Sequence, residues 1–136
     1  MAKDGLITIS LDAMGGDFAP EEPVKGAIEA VLKGGVEVIL VGDEEVIRAE
    51  LAKHDGVDDL PITIYGSTGV VEEGEAPALA FRSKPRASIF VATNRVKRGI
   101  ADAVVSMGSS GGTIAAASFL FGTFEGIERG TLGGPI

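Results

Sequence analysis

The chain has 136 residues, long enough for one domain with a substantial core and too short for two ordinary ones. Its hydrophobic fraction of 45% excludes a disordered chain, and the absence of cysteine excludes disulfide scaffolds, thiolate catalysis and Cys-based zinc sites. A net charge of −8 argues against nucleic acid as a partner, because neutralising phosphates supplies most of that affinity.

Leu6 to Leu11 reads as a buried strand, and Pro20 with Glu21 and Glu22 as the start of a helix. That helix carries Val24, Ala27, Ile28, Val31 and Leu32 on one face and stops at Gly34-Gly35. Val36 to Val41 is a second strand, after which Asp43 caps a helix whose buried side is Val46, Ile47 and Leu51. Pro61 to Tyr65 is a third strand, and Gly66 to Glu75 a loop rich in glycine and acid. A short helical piece from Ala76 to Phe81 follows, then a helix from Ser88 to Arg98 ended by Gly99. Ala101 to Met107 is the fourth strand, Ser110 to Phe121 its helix, and Leu132 to Ile136 the beginning of a fifth strand.

Strands alternating with helices predict an α/β fold of three layers: a mainly parallel sheet with helices on both faces. The whole chain, 1–136, is expected to be one α/β domain. The opening Met-Ala-Lys-Asp-Gly has no apolar signal-peptide core, and the longest apolar run, Ile114 to Phe121, is far short of the ~20 residues that span a bilayer. The apolar, uncapped ending suggests a fragment of a longer protein.

In an open parallel sheet, ligands collect beyond the carboxyl ends of the strands. Two glycine clusters fall there. Asp12-Ala13-Met14-Gly15-Gly16-Asp17 ends the first strand with two carboxylates, and Gly15 and Gly16 let main chain approach a ligand. The alternative is a tight turn in which Asp17 merely caps the next helix. Gly108-Ser109-Ser110-Gly111-Gly112-Thr113 joins the fourth strand to its helix. Backbone amides at a helix N-terminus favour anions, with Ser109, Ser110 and Thr113 as hydroxyl donors; the alternative is a plain turn with a serine cap.

Gly108, Ser110 and Gly112 also fit the Gly-x-Ser-x-Gly spacing of a serine hydrolase, with Ser110 as nucleophile. The only histidine, His54, precedes that serine and reads as a solvated helix-end residue. Lys84 and Arg86 lie in the cationic run Arg82 to Arg86 and either reach the same sheet end, to bind phosphate or an acidic partner, or form a solvated loop. No metal set is visible, since Asp12 and Asp17 offer too few oxygens for a dedicated cage. Neither a Gly-x-Gly-x-x-Gly nor a P-loop motif supports a nucleotide.

The block Asp12-Ala13-Met14-Gly15-Gly16-Asp17 with Ala19-Pro20-Glu21 resembles the signature of the PlsX family of bacterial phosphate acyltransferases. Val41-Gly42-Asp43-Glu44, Ala101 to Ser106 with Gly108, Phe124 to Arg129 and Pro135-Ile136 match it in order. The chain departs from the family's Gly-Asn-Thr-Gly with Gly108-Ser109-Ser110-Gly111, keeping a hydroxyl and losing an amide. It also looks like only the N-terminal portion, without the amphipathic helical region expected to meet the membrane.

The resemblance implies a fold similar to phosphotransacetylases and isocitrate dehydrogenase. It also implies transfer of an acyl group from acyl-[acyl-carrier protein] to inorganic phosphate, in phospholipid biosynthesis. It implies no organic cofactor, a homodimer, a cytoplasmic location with peripheral membrane association, and a membrane glycerol-3-phosphate acyltransferase as partner. Under it, Asp12, Asp17, Ser109 and Ser110 are candidate catalytic residues. Gly15, Gly16, Lys84, Arg86, Gly108, Gly111, Gly112 and Thr113 are candidates for binding phosphate or substrate. A phosphotransacetylase acting on acyl-CoA, the serine hydrolase and a non-catalytic carrier-binding domain are the alternatives.

Overall fold

The computed structural model describes residues 5–136; the opening residues read above for a signal peptide lie largely outside them. Four strands, β1 (Ile7–Asp12), β2 (Val36–Gly42), β3 (Ile62–Gly66) and β4 (Ala103–Val105), form one parallel sheet in the order β3-β2-β1-β4. The helices are α1 (Glu21–Lys33), α2 (Glu44–Leu51), α3 (Pro77–Ser83), α4 (Ser88–Lys97) and α5 (Ser110–Phe121). A 3-10 turn at Val57–Asp59, unmarked in the sequence reading, precedes β3.

The period-2 alternation of the strands distributes side chains to two cores. Leu11, Val38 and Leu40 pack with Val24, Ala27 and Val31 of α1 and Ile47 of α2. On the other face, Val41 and the half-buried Ile39 and Val104 meet Val91 and Ala92 of α4. The buried Ser10 hydroxyl, in the same layer, donates to the Ala92 carbonyl at 2.8 Å. Helices α3 and α5 pack on α4 or on each other rather than on the sheet, so α4 is the plate between them and the strands. The expected three-layer α/β architecture is therefore present.

Several local expectations change. Leu32 is 67% exposed and Val46 39% exposed, because each lies at the margin of its helix's apolar stripe rather than over the sheet. The fourth strand is three residues long instead of seven; Asp102 instead exchanges hydrogen bonds with Thr8, its amide donating to the Thr8 carbonyl and its carboxylate accepting from the Thr8 amide, both at 2.8 Å. No strand forms at Leu132 to Ile136. Residues 122–136 are exposed and irregular, and the end segment offers two glycines with nothing to bury and a proline without a donor.

The cap expected at Asp43 is present: its carboxylate accepts from the amides of Glu45 at 3.1 Å and Val46 at 3.2 Å. Asp43→Ala is expected to cost about 1 kcal/mol in urea unfolding. Asp43→Ser should recover most of that, whereas equal losses for Ala and Ser would show that the cap contributes nothing.

Candidate functional site

The parallel register Leu11↔Val105 carries the next residues, Asp12 and Ser106, side by side onto the carboxyl rim of the sheet. The Ser106 hydroxyl donates to Asp12 Oδ2 at 2.8 Å and accepts the Gly108 amide at 3.0 Å. The Met14 amide donates to Asp12 Oδ1 at 3.1 Å. Asp12 is only 2% exposed, so both oxygens of a buried carboxylate are occupied, and they tie the loop after β1 to the loop after β4.

The two glycines of the loop after β1 are required by this approach. A Cβ on Gly15 would sit 2.7 Å from Asp12 Oδ2 and 2.9 Å from the Gly108 nitrogen. Gly16 has φ +99°, and a Cβ there would sit 3.0 Å from the Met107 carbonyl oxygen. At the start of α5, the Ser109 hydroxyl accepts the Gly112 amide at 3.1 Å, while the amide and hydroxyl of Thr113 both donate to the Ser109 carbonyl. Ser109 is thus a helix cap, as the plainer sequence reading had it.

The two loops enclose a cleft of about 460 Å³. Asp12, Gly15, Gly16, Asp17, Gly108, Ser109, Gly112 and Thr113 all line it, so eight of the candidate residues converge. Asp17 caps no helix: the N-cap of α1 is Pro20, without a side-chain cap hydrogen bond, and Asp17 stands exposed at the cleft. Ser106 and Met107 also line it, as does the wall Val70 to Glu73. Ser106 was missing from the sequence candidates. The signal for it was a small hydroxyl closing an apolar run, level with Asp12 once β1 and β4 are known to pair.

Four candidates fall outside the lining. Ser110 and Gly111 are exposed on the first turn of α5, where the 100° step per residue turns them away from the side that Gly112 and Thr113 present. The cationic run does not deliver its charges either. Arg86 donates to the Gly66 carbonyl at 2.9 Å, at the end of the edge strand β3. Lys84 donates to the Val70 carbonyl at 3.1 Å and pairs with Glu75 at 3.0 Å. Lys84 therefore buttresses the loop whose Val70 to Glu73 side forms the cleft wall. Among the described residues no Lys, Arg or His lines the cleft, which carries instead the carboxylates Asp12, Asp17, Glu72 and Glu73. No cluster of described residues has the grouping that would hold a metal ion.

Glu75 is held below its ordinary carboxylate pKa, first by the hydrogen bond from the Glu72 amide and then by the Lys84 ammonium. A depressed folded pKa gives a contribution present above the ordinary carboxylate value and lost as pH falls through the folded one. Amide exchange of the wall segment, corrected for its intrinsic pH dependence, should therefore accelerate in acid. Glu75→Gln should be fast already at neutral pH, and identical profiles for the two proteins would remove Glu75 as the fastening.

A family model described as "Fatty acid synthesis protein" matches residues 7–135. The chain is similar to proteins named "Phosphate acyltransferase". It is 49% identical over 125 residues to that of Synechocystis sp., covering 92% of this chain and 35% of the relative. For Herpetosiphon aurantiacus the identity is 48% over 121 residues, covering 89% and 33%. For Acaryochloris marina it is 45% over 126 residues, covering 93% and 36%. The chain thus spans about a third of the length of the curated relatives it matches. With nearly every residue inside the matched region, the chain belongs to the fatty acid synthesis protein family.

Proposed function

We propose that this chain is one part of a longer phosphate acyltransferase, and that its glycine-lined cleft positions inorganic phosphate for attack on an acyl thioester. The observation that carries this reading is the convergence of both glycine clusters on one cleft in a chain whose relatives are named for that reaction. Phosphate is already an anion, so no activated serine is needed. A phosphate oxygen attacks the thioester carbonyl carbon, the carbon–sulfur bond breaks, and the departing thiolate takes up a proton. Acyl phosphate and a free thiol result. What the protein must supply is placement of the nucleophile and donors for the developing oxyanion.

Here the Ser109 hydroxyl is the donor at hand, and Asp12 acts as a positioning residue through Ser106 and the Met14 amide. Carboxylates beside phosphate repel it. The reading therefore assigns the neutralising cation to residues beyond these 136 or to a bound ion, and not to Lys84 or Arg86. The same reading takes acyl-[acyl-carrier protein] as acyl donor and a membrane glycerol-3-phosphate acyltransferase as partner. It takes the whole enzyme to be a cytoplasmic homodimer associated peripherally with the membrane. The family resemblance supports these assignments; among the described residues no helix is long and apolar enough to cross a membrane.

The test is hydroxylamine trapping of acyl phosphate by the full-length protein, given phosphate with either acyl-[acyl-carrier protein] or acyl-CoA. Phosphate-dependent product with the carrier thioester is expected. Preference for acyl-CoA would overturn the donor assignment, and thioester loss independent of phosphate would overturn the transferase reading. A fluorophosphonate should leave Ser110 unlabelled, because that serine is exposed and His54 follows α2, on the opposite face of the sheet from α5.

A further inference from the structure

A second groove, of about 280 Å³, lies on the α4 face beside the edge strand β3. Phe81 of α3 and Phe90 of α4 form part of its apolar wall, their rings 5.0 Å apart at 89°. Arg86, Arg95 and Arg98 form its polar side together with Tyr65, and no Asp or Glu lines it. In a chain with 20 acidic and 12 basic residues, the groove inverts the prevailing charge.

Arg95 is the telling residue. It is 8% exposed, its guanidinium carbon stands 3.9 Å from the centre of the Tyr65 ring, and its buried Nε has no hydrogen-bond partner. No carboxylate among the described residues pairs with it. A buried guanidinium without an anion is unfavourable, and a cation–π contact offsets only part of that cost. The ring holds the guanidinium carbon in place, and a guanidinium is a planar fork whose spacing matches the two oxygens of a carboxylate or phosphate. Arg98, the C-cap of α4 and exposed, adds a second charge at the mouth.

We propose that this groove is a binding site for amphiphilic anions, separate from the glycine-lined cleft. One oxyanion head, carboxylate or phosphate, pairs with Arg95 and Arg98, and its apolar body lies against Phe81 and Phe90.

The protein carries its own probe, since Tyr65 is the single tyrosine and there is no tryptophan. Tyrosine fluorescence is followed while decanoate, decyl phosphate, decanol or inorganic phosphate is added below any micelle-forming concentration. A saturable change is expected with decanoate or decyl phosphate, the tighter of the two identifying the head group. Decanol and inorganic phosphate should each bind at least about tenfold more weakly, lacking one of the two contacts. Arg98→Ala, at an exposed position, should weaken the anion several-fold, and Arg95→Met about tenfold or more with the far-UV spectrum unchanged. Lys25→Ala removes the same charge from exposed α1 on the opposite face and should change nothing. The proposal fails if decanol binds as tightly as the anions, if no saturation occurs, or if Arg98→Ala binds like the unaltered protein. It also fails if Lys25→Ala weakens binding as much as Arg98→Ala does.

Discussion

Gly15→Ala should lower the stability of the chain by about 2–4 kcal/mol, the combined scale of an overpacked site and a broken buried hydrogen bond. The added methyl would meet Asp12 Oδ2 at 2.7 Å, the Gly108 nitrogen at 2.9 Å and Ser106 Oγ at 2.9 Å. None of these can step aside cheaply. One is backbone, and the two side-chain atoms are bonded to each other at 2.8 Å. Moving the carboxylate breaks the Ser106 contact, and moving the Gly108 loop opens the cleft. Gly26→Ala provides the contrast, because a Cβ there meets nothing within 4 Å and the site is inside α1. That substitution should stabilise by about 0.5–1 kcal/mol. Urea unfolding of both variants checks the pair, and a Gly15→Ala protein as stable as the parent would show that the Asp12–Ser106–Gly108 contact does not fix the loops.

The sign difference between two glycines of one sequence also marks where legibility ends. Runs such as Val36 to Val41 are legible because β2 lies between β3 and β1, so every residue of the run is apolar except Glu37, whose carboxylate accepts from the Thr8 hydroxyl of β1. The Asp43 cap is legible because its partners are two and three residues away. That both glycine clusters share a rim follows from parallel strands, whose carboxyl ends all point one way. Lateral position is another matter. Nothing local says that β4 joins beside β1 while β3 sits two strands away, and this is what brings Ser106 to Asp12 and leaves Arg86 at the Gly66 carbonyl. The rotation of α5 is likewise set by packing: Gly112 turns inward because a Cβ there would sit 2.9 Å from Ser109 Oγ and 3.4 Å from Val71, which leaves Ser110 and Gly111 facing outward. The motif spacing that made Ser110 look like a nucleophile contains no information about that rotation.

Ser106→Ala and Asp12→Ala should each be strongly destabilising, and together they should cost less than their sum. Removing the Ser106 hydroxyl leaves Asp12 Oδ2 without its donor and the Gly108 amide without its acceptor, in a place where the carboxylate is 2% exposed. Leaving such groups unsatisfied costs about 1.5–3 kcal/mol. Removing Asp12 instead orphans the Ser106 hydroxyl and the Met14 amide. In the double variant the most expensive consequence of the serine change, an unpartnered buried carboxylate, no longer exists. A coupling energy of about 1–2 kcal/mol is therefore expected from the cycle. Asp12→Asn separates charge from shape. An asparagine offers one acceptor oxygen where the site uses two, so it can serve Ser106 or the Met14 amide and must set its NH2 against the other donor. It should fall between aspartate and alanine in stability. Additive single losses would mean that Ser106 and Asp12 act independently. The bridge between the two loops would then have to be sought in the backbone contacts of Gly15 and Gly108 alone.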